Sequence, residues 1–310
     1  MTFLEALAAL RSPVFDAFFL LVTRLGEEFL YMAVALAVFW CGRKSHGYFL
    51  LTVGFVGTVC NQFLKLFFRV PRPWIKNPDF QAVEAAIPAA TGYSFPSGHT
   101  QIATGLYGGI ARLYRHPFVR TAGIAIVLLV AFSRMYLGVH TPLDVLVSLA
   151  IGTLLVFLLA PFFARVDKDI HLMYKICVPL VLLAAANLLF VHLYPFPLDA
   201  DMENVKDGIK NAWSLFGAIL ALPIVCYMDN RFIRFSGQAR PLVQILKVAV
   251  GLLLVLAVKE GLKFPLNLLP GGANGFSSGI RYFFVVLVAG VGYPALFRFL
   301  PQKWVAKKSG

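Results

Sequence analysis

Nine apolar runs, at about 27–42, 46–67, 98–114, 118–138, 141–164, 173–194, 208–228, 241–262 and 277–299, leave this chain few ways to fold. A bilayer crossing takes about 20 mostly apolar residues, roughly 17–25. Within hydrocarbon, every backbone polar group must be satisfied inside a helix or a closed barrel. Runs of this length, bounded by charge, glycine or proline, predict an all-α, polytopic membrane helical bundle of about nine spans. The runs at 27–42 and 98–114 sit at or below the short end of that range. Composition agrees, because 14% of residues are charged, against about 25% in soluble domains. Residues 1–25 are broken at Ser12-Pro13 and carry Glu5, Arg11, Asp16 and Arg24. They read as helix lying in the interface. The N-terminus lacks the pattern of a cleavable signal peptide, so the first spans are expected to act as the insertion signal.

The charge is distributed by side. If the spans alternate, one face receives sixteen basic residues, from Arg43, Lys44, Arg112, Arg115 and Arg120 through to Lys303, Lys307 and Lys308. That face holds three acids, Asp167, Asp169 and Asp229, while the two signs balance on the other face. The whole net charge of +13 therefore falls on one side, and the positive-inside bias makes that side cytoplasmic. The excess is a topology signal, since basic patches interleaved with aromatics are absent and no nucleic-acid partner is expected. Cys41, Cys60, Cys177 and Cys226 all lie in apolar segments without paired spacing. They argue for neither a disulfide framework nor a zinc site, and no cofactor is expected.

Three fragments carry chemistry: Lys65-x6-Arg72-Pro73, Phe95-Pro96-Ser97-Gly98-His99 and Ser133-Arg134-x5-His140-x3-Asp144. All fall at span ends on the less basic face. Lys65 and Arg72 lie seven residues apart, but Pro71 and Pro73 end the helix and set Arg72 in the loop. Either cation alone also suits snorkelling to headgroups; Arg69 suits it better than a catalytic role. Gly98 lets backbone amides approach an anion at a helix start, and Ser97 offers a hydroxyl. Ser97 is equally a plain N-cap. Thr141, Pro142 and Asp144 make a capping box, which would leave His140 incidental. Alternatively, Asp144 orients His140 and fixes its tautomer. Arg134 near a span end needs a partner, and a phosphate is one.

Together and in this order, the three fragments resemble the signatures of the type-2 phosphatidic acid phosphatase family, over roughly residues 27–165. The resemblance implies a helical core shared with vanadium haloperoxidases, here with additional C-terminal spans. It implies metal-free hydrolysis of phosphate monoesters or diphosphates. In that scheme His140 is the nucleophile that becomes a phosphohistidine, oriented by Asp144. His99 protonates the leaving oxygen and then activates water. Lys65, Arg72, Ser97, the Gly98 amide and Arg134 hold the non-bridging oxygens. Fixed positive charge suits phosphoryl transfer on general grounds.

Three regions are expected: interfacial N-terminal helices at 1–26, a catalytic membrane core at 27–170, and an accessory region of about four spans at 171–310. Loop 74–94 reads as a lid or as a solvated connector. Loop 195–207 is acidic, with Asp199, Asp201, Glu203 and Asp207. Glu260 is expected to pair with Lys259 or Arg281. The expected substrate is a membrane lipid phosphate or diphosphate, of polyprenyl diphosphate, phosphatidate or phosphatidylglycerophosphate type. It would be met on the outer side of the plasma membrane. The rivals are a soluble phosphate ester, as in glucose-6-phosphatases, a phosphotransferase with the same site, and a phosphate-binding transporter.

Overall fold

The computed structural model describes residues 2–197, 200–268 and 275–299. Asp199 of the acidic loop and the basic Lys303, Lys307 and Lys308 lie outside them. Among the described residues the regular structure is entirely helical. The chain runs α1 (Thr2–Ala8), α2 (Pro13–Thr23), α3 (Glu28–Cys41), α4 (Lys44–Phe68), α5 (Pro73–Lys76), α6 (Gly98–Ala103), α7 (Gly109–Leu113) and α8 (Pro117–Tyr136). It continues as α9 (Pro142–Val166), α10 (His171–Leu193), α11 (Met202–Met228), α12 (Pro241–Gly261), α13 (Lys263–Asn267), α14 (Phe276–Leu287) and α15 (Tyr293–Ala295).

Among the described residues, seven helical segments are long and apolar enough to cross a membrane: Lys44–Lys76, Pro117–Tyr136, Pro142–Val166, His171–Leu193, Met202–Ile233, Pro241–Leu266 and Phe276–Phe299. The two remaining runs were the short ones. Helix α3 has 14 residues. The run at 98–114 becomes α6, a π-helical turn at Thr104–Gly108, and α7. Its buried polar side chains Thr100, Gln101 and Thr104 explain why it is less apolar than its neighbours. The outer faces of the long helices are apolar, as a lipid-facing surface requires. Leu128, Leu146, Leu154, Phe157, Leu182 and Leu253 are all exposed. The chain is an integral, multi-pass membrane protein.

The chain divides into two compact units, the first comprising Met1–Met32, Thr52–Ala160 and Pro195–Gly208. Helix α8 is its hub, touched by α1, α2, the turn Arg24–Gly26, α6 and α7. Val22, Ala103 and Val130 form a buried core between α2, α6 and α8. The Ser12-Pro13 break is a helix start: Ser12 Oγ accepts from the Phe15 amide at 3.4 Å, with Pro13 at the first helical position. Loop 74–94 is packed: Ala86 and Ala90 are buried with Tyr136, Leu137 and Val139, and the Val83 amide donates to Leu137 O at 3.0 Å.

The second unit comprises Ala33–Leu51, Pro161–Tyr194 and Ile209–Gly310. Trp40, fully buried, donates from Nε1 to Ala289 O at 2.9 Å. Gly217 lies so close to Gly279 that a Cβ there would collide with its backbone, the close helix approach that small residues permit in membranes. Lys44 Nζ meets Asp229 at 2.7 Å. Lys259 Nζ lies 3.4 Å from Glu260 Oε1 on an exposed surface.

Candidate active site

The turn between α8 and α9 sets the geometry. Helix α8 ends at Tyr136, and Gly138 takes φ +75, a region that favours glycine. A side chain there would also meet Arg11 Nη2 at 2.6 Å and the Phe80 ring at 3.0 Å. The chain then returns His140 inward, to 1% exposure. Thr141 and Asp144 form the reciprocal cap read from the sequence. The Thr141 amide donates to Asp144 Oδ2 at 2.8 Å, and the Asp144 amide donates to Thr141 Oγ1 at 3.3 Å. The same Oδ2 lies 3.4 Å from His140 Nδ1, within ion-pair reach but short of a formed hydrogen bond. Asp144 therefore both caps α9 and faces the imidazole. Ser94 Oγ donates to that oxygen at 2.6 Å.

The cations come from the other span ends. Arg72, 4% exposed, stands just before α5. It donates to Gly92 O at 3.0 Å, Thr91 O at 2.6 Å and Val139 O at 3.0 Å. Its Nη1 also lies 2.9 Å from His140 Nε2. A guanidinium only donates, so Nε2 is the acceptor in that contact and the imidazole proton belongs on Nδ1, toward Asp144. Lys65, buried on α4, donates to Tyr93 O. Arg69 donates from Nη1 to Leu66 O at 2.9 Å, closing the end of α4. Arg134, 1% exposed on α8, donates from Nη1 to Thr23 Oγ1 at 2.7 Å. Its Nε and Nη2 are buried and have no hydrogen-bond partner among the described residues.

Ser97 and Gly98 open α6. Ser97 Oγ accepts from the Thr100 amide at 3.4 Å and from Thr100 Oγ1 at 3.0 Å, so its oxygen serves as an N-cap. Its hydroxyl proton remains a donor. The Ser97 amide donates to Asp144 O at 3.1 Å, and Ser148 Oγ bridges Ser97 O at 2.8 Å and Asp144 O at 2.9 Å. These bonds fix α6 against α9. His99 Nε2 is buried without a hydrogen-bond partner among the described residues.

Burial holds His140 well below the ordinary imidazole pKa, and the charges of Arg72, Arg134, Lys65 and His99 lower it further. The imidazole stays neutral, its Nε2 lone pair facing a set of cations. An excess of buried N–H donors around a neutral imidazole fits an anion with several oxygens. Among the described residues no group of three or more His, Cys, Asp or Glu side chains is placed to hold a metal ion.

Several supporting residues were not read from the sequence. Thr23 lies 111 positions from Arg134, and no spacing rule joins them. The carbonyls of Thr91, Gly92 and Tyr93 carry no side-chain signal. Ser148 stands one turn after Asp144, on the same helix face, and that spacing was available. Ser94 stands three residues before Ser97.

A family model described as the PAP2 superfamily matches residues 45–168. A second, described as the PAP2 superfamily phosphatase transmembrane extension, matches residues 213–305. The chain is 31% identical over 149 residues to an undecaprenyl-diphosphatase of Bacillus subtilis, covering 47% of this chain and 74% of that one. It is 31% identical over 180 residues to phosphatidylglycerophosphatase B of the same organism, covering 53% and 83%. It is 27% identical over 276 residues to human sphingosine-1-phosphate phosphatase 2, covering 82% and 62%. Matched in its motif-bearing part and again in its later spans, and aligned over most of two bacterial phosphatases, the chain belongs to the PAP2 superfamily of phosphatases.

Proposed function

We propose that the protein hydrolyses lipid phosphate monoesters or diphosphates through a phosphohistidine at His140. The observation that carries this reading is the buried pair of donors Arg134 Nε and Nη2 and the buried ring nitrogen His99 Nε2, all without a hydrogen-bond partner among the described residues, beside a neutral imidazole whose Nε2 accepts from Arg72. In the first step Nε2 attacks phosphorus and the bond to the leaving oxygen breaks. His99, as imidazolium, gives that oxygen its proton. In the second step His99 takes a proton from water, the hydroxide attacks phosphorus, the N–P bond breaks and inorganic phosphate leaves. Lys65, Arg72, Arg134, the Ser97 hydroxyl and the Gly98 amide hold the non-bridging oxygens, and Asp144 holds the His140 Nδ1 proton. Such chemistry is mostly positioning and charge stabilisation.

Two observations favour a lipid. An apolar groove of about 590 Å³ is lined by Phe3, Leu128, Phe132, Met135, Pro142 and Leu146 among others. Met135 and Pro142 bracket the turn that bears His140, so hydrocarbon has a surface beside the site. The two bacterial relatives are named for undecaprenyl diphosphate and phosphatidylglycerophosphate. The charge asymmetry supports an outward-facing site in the plasma membrane, with residues 171–310 as an accessory membrane region. The test is phosphate release by purified protein from lipid monophosphates, lipid diphosphates and a sugar phosphate. Lipid substrates are expected to dominate, and His140→Ala to fall to background. Full activity in His140→Ala, or a preference for the sugar phosphate, would overturn the reading.

A further inference from the structure

The segment before residue 45 lies outside the family match, yet it reaches the site. Thr23, the last residue of α2, is 6% exposed. Its Oγ1 accepts from Arg134 Nη1 at 2.7 Å. The choice of nitrogen matters. A guanidinium presents two-donor edges that grip a phosphate through parallel hydrogen bonds. Nε and Nη2 together form one such edge, and these are the two nitrogens left without a partner among the described residues. Thr23 engages the third nitrogen, which fixes rotation of the plane and leaves that edge intact.

The end of α2 is itself anchored on the helices that carry the site. Val22 packs with Ala103 and Val130. Tyr107 Oη donates to Leu25 O at 3.1 Å. Gly26 sits so near His99 that an added Cβ would lie 2.8 Å from His99 O. Further back, Arg11 Nε donates to Tyr136 O at 3.1 Å, and Tyr136 Oη donates to Asp16 Oδ1 at 2.9 Å. The segment is tied to α8 two residues beyond Arg134 as well as at Arg134 itself.

We infer that Thr23 is a positioning residue for phosphate recognition: it orients Arg134 so that the Nε–Nη2 edge meets the phosphoryl group, making the N-terminal segment part of the active site. The inference rests on the proposed role of Arg134 in holding phosphate. Thr23→Val keeps the shape and removes the acceptor, whereas Thr23→Ser keeps the hydroxyl. A hydrogen bond to a charged group is worth enough for a change of roughly 10- to 100-fold. Thr23→Val is expected to lower kcat/KM for phosphate release by about that factor and to weaken inhibition by orthovanadate in parallel. Thr23→Ser is expected to retain most activity.

A double-mutant cycle separates positioning from general stability. On an Arg134→Ala background, Thr23→Val is expected to have no further effect. A further loss there of the same size as in the wild type, or wild-type kinetics and vanadate inhibition in Thr23→Val alone, would overturn the inference. Wild-type activity in Arg134→Ala would instead overturn the reading on which it rests.

Discussion

The two compact units treat buried positive charge differently. In the second unit, Lys44 holds both oxygens of Asp229 at 2.7 and 2.8 Å and lies 3.9 Å from the Phe235 ring centre. Lys247, 4% exposed, donates to Trp40 O at 2.7 Å and lies 4.2 Å from the Phe297 ring centre. Lys44 has a carboxylate partner, and Lys247 has backbone carbonyls and a ring face for its ammonium. In the first unit, Lys65, Arg72 and Arg134 share a neighbourhood with a single buried carboxylate, Asp144, already engaged by Ser94, Thr141 and His140. Backbone carbonyls and one threonine take part of their donor capacity, and two nitrogens of Arg134 have no partner among the described residues. An uncompensated buried charge costs several kcal/mol. On the proposed reading, the phosphoryl group of the substrate supplies the missing negative charge beside the neutral imidazole.

The comparison breaks most visibly at Arg134. Arg134→Ala is expected to reduce phosphate release by about 100- to 1000-fold, the usual loss on removing one charge-stabilising donor. Soluble, folded protein with unchanged turnover would mean that the leftover donors have another purpose. At the small end, Asp229→Asn in the second unit is expected to leave kcat and KM unchanged while weakening the fold. Its melting temperature is expected to fall by roughly 2–4 °C for each kcal/mol lost. A kinetic effect larger than the thermal one would show that the second unit's ion pair takes part in turnover.

Much of this division was legible in the sequence. The apolar runs gave the long helices, and the three polar fragments named side chains that the fold brings close, as the 2.9 Å contact of Arg72 with His140 shows. The spacing of Asp144 to Thr141 and His140 offered capping and imidazole-facing roles as alternatives, and the helix start places both partners within reach of one carboxylate. The run at 98–114 is helical but shorter and less apolar than the seven long segments, because it carries the buried Thr100, Gln101 and Thr104. Loop 74–94 was ambiguous for a different reason. Its contribution is made by the carbonyls of Thr91, Gly92 and Tyr93, and every residue type carries one. Thr23 was illegible because its partner is set by how α2 packs on α8, a tertiary fact without a sequence period.

Trapping the enzyme between the two proposed chemical steps tests the central claim most directly. In His99→Ala, incubation with substrate labelled on its terminal phosphate is expected to leave a phosphoenzyme that is acid-labile and base-stable, as a phosphohistidine is, and adding His140→Ala should abolish the label. Label surviving in the double variant, or mapping to another residue, would contradict the account.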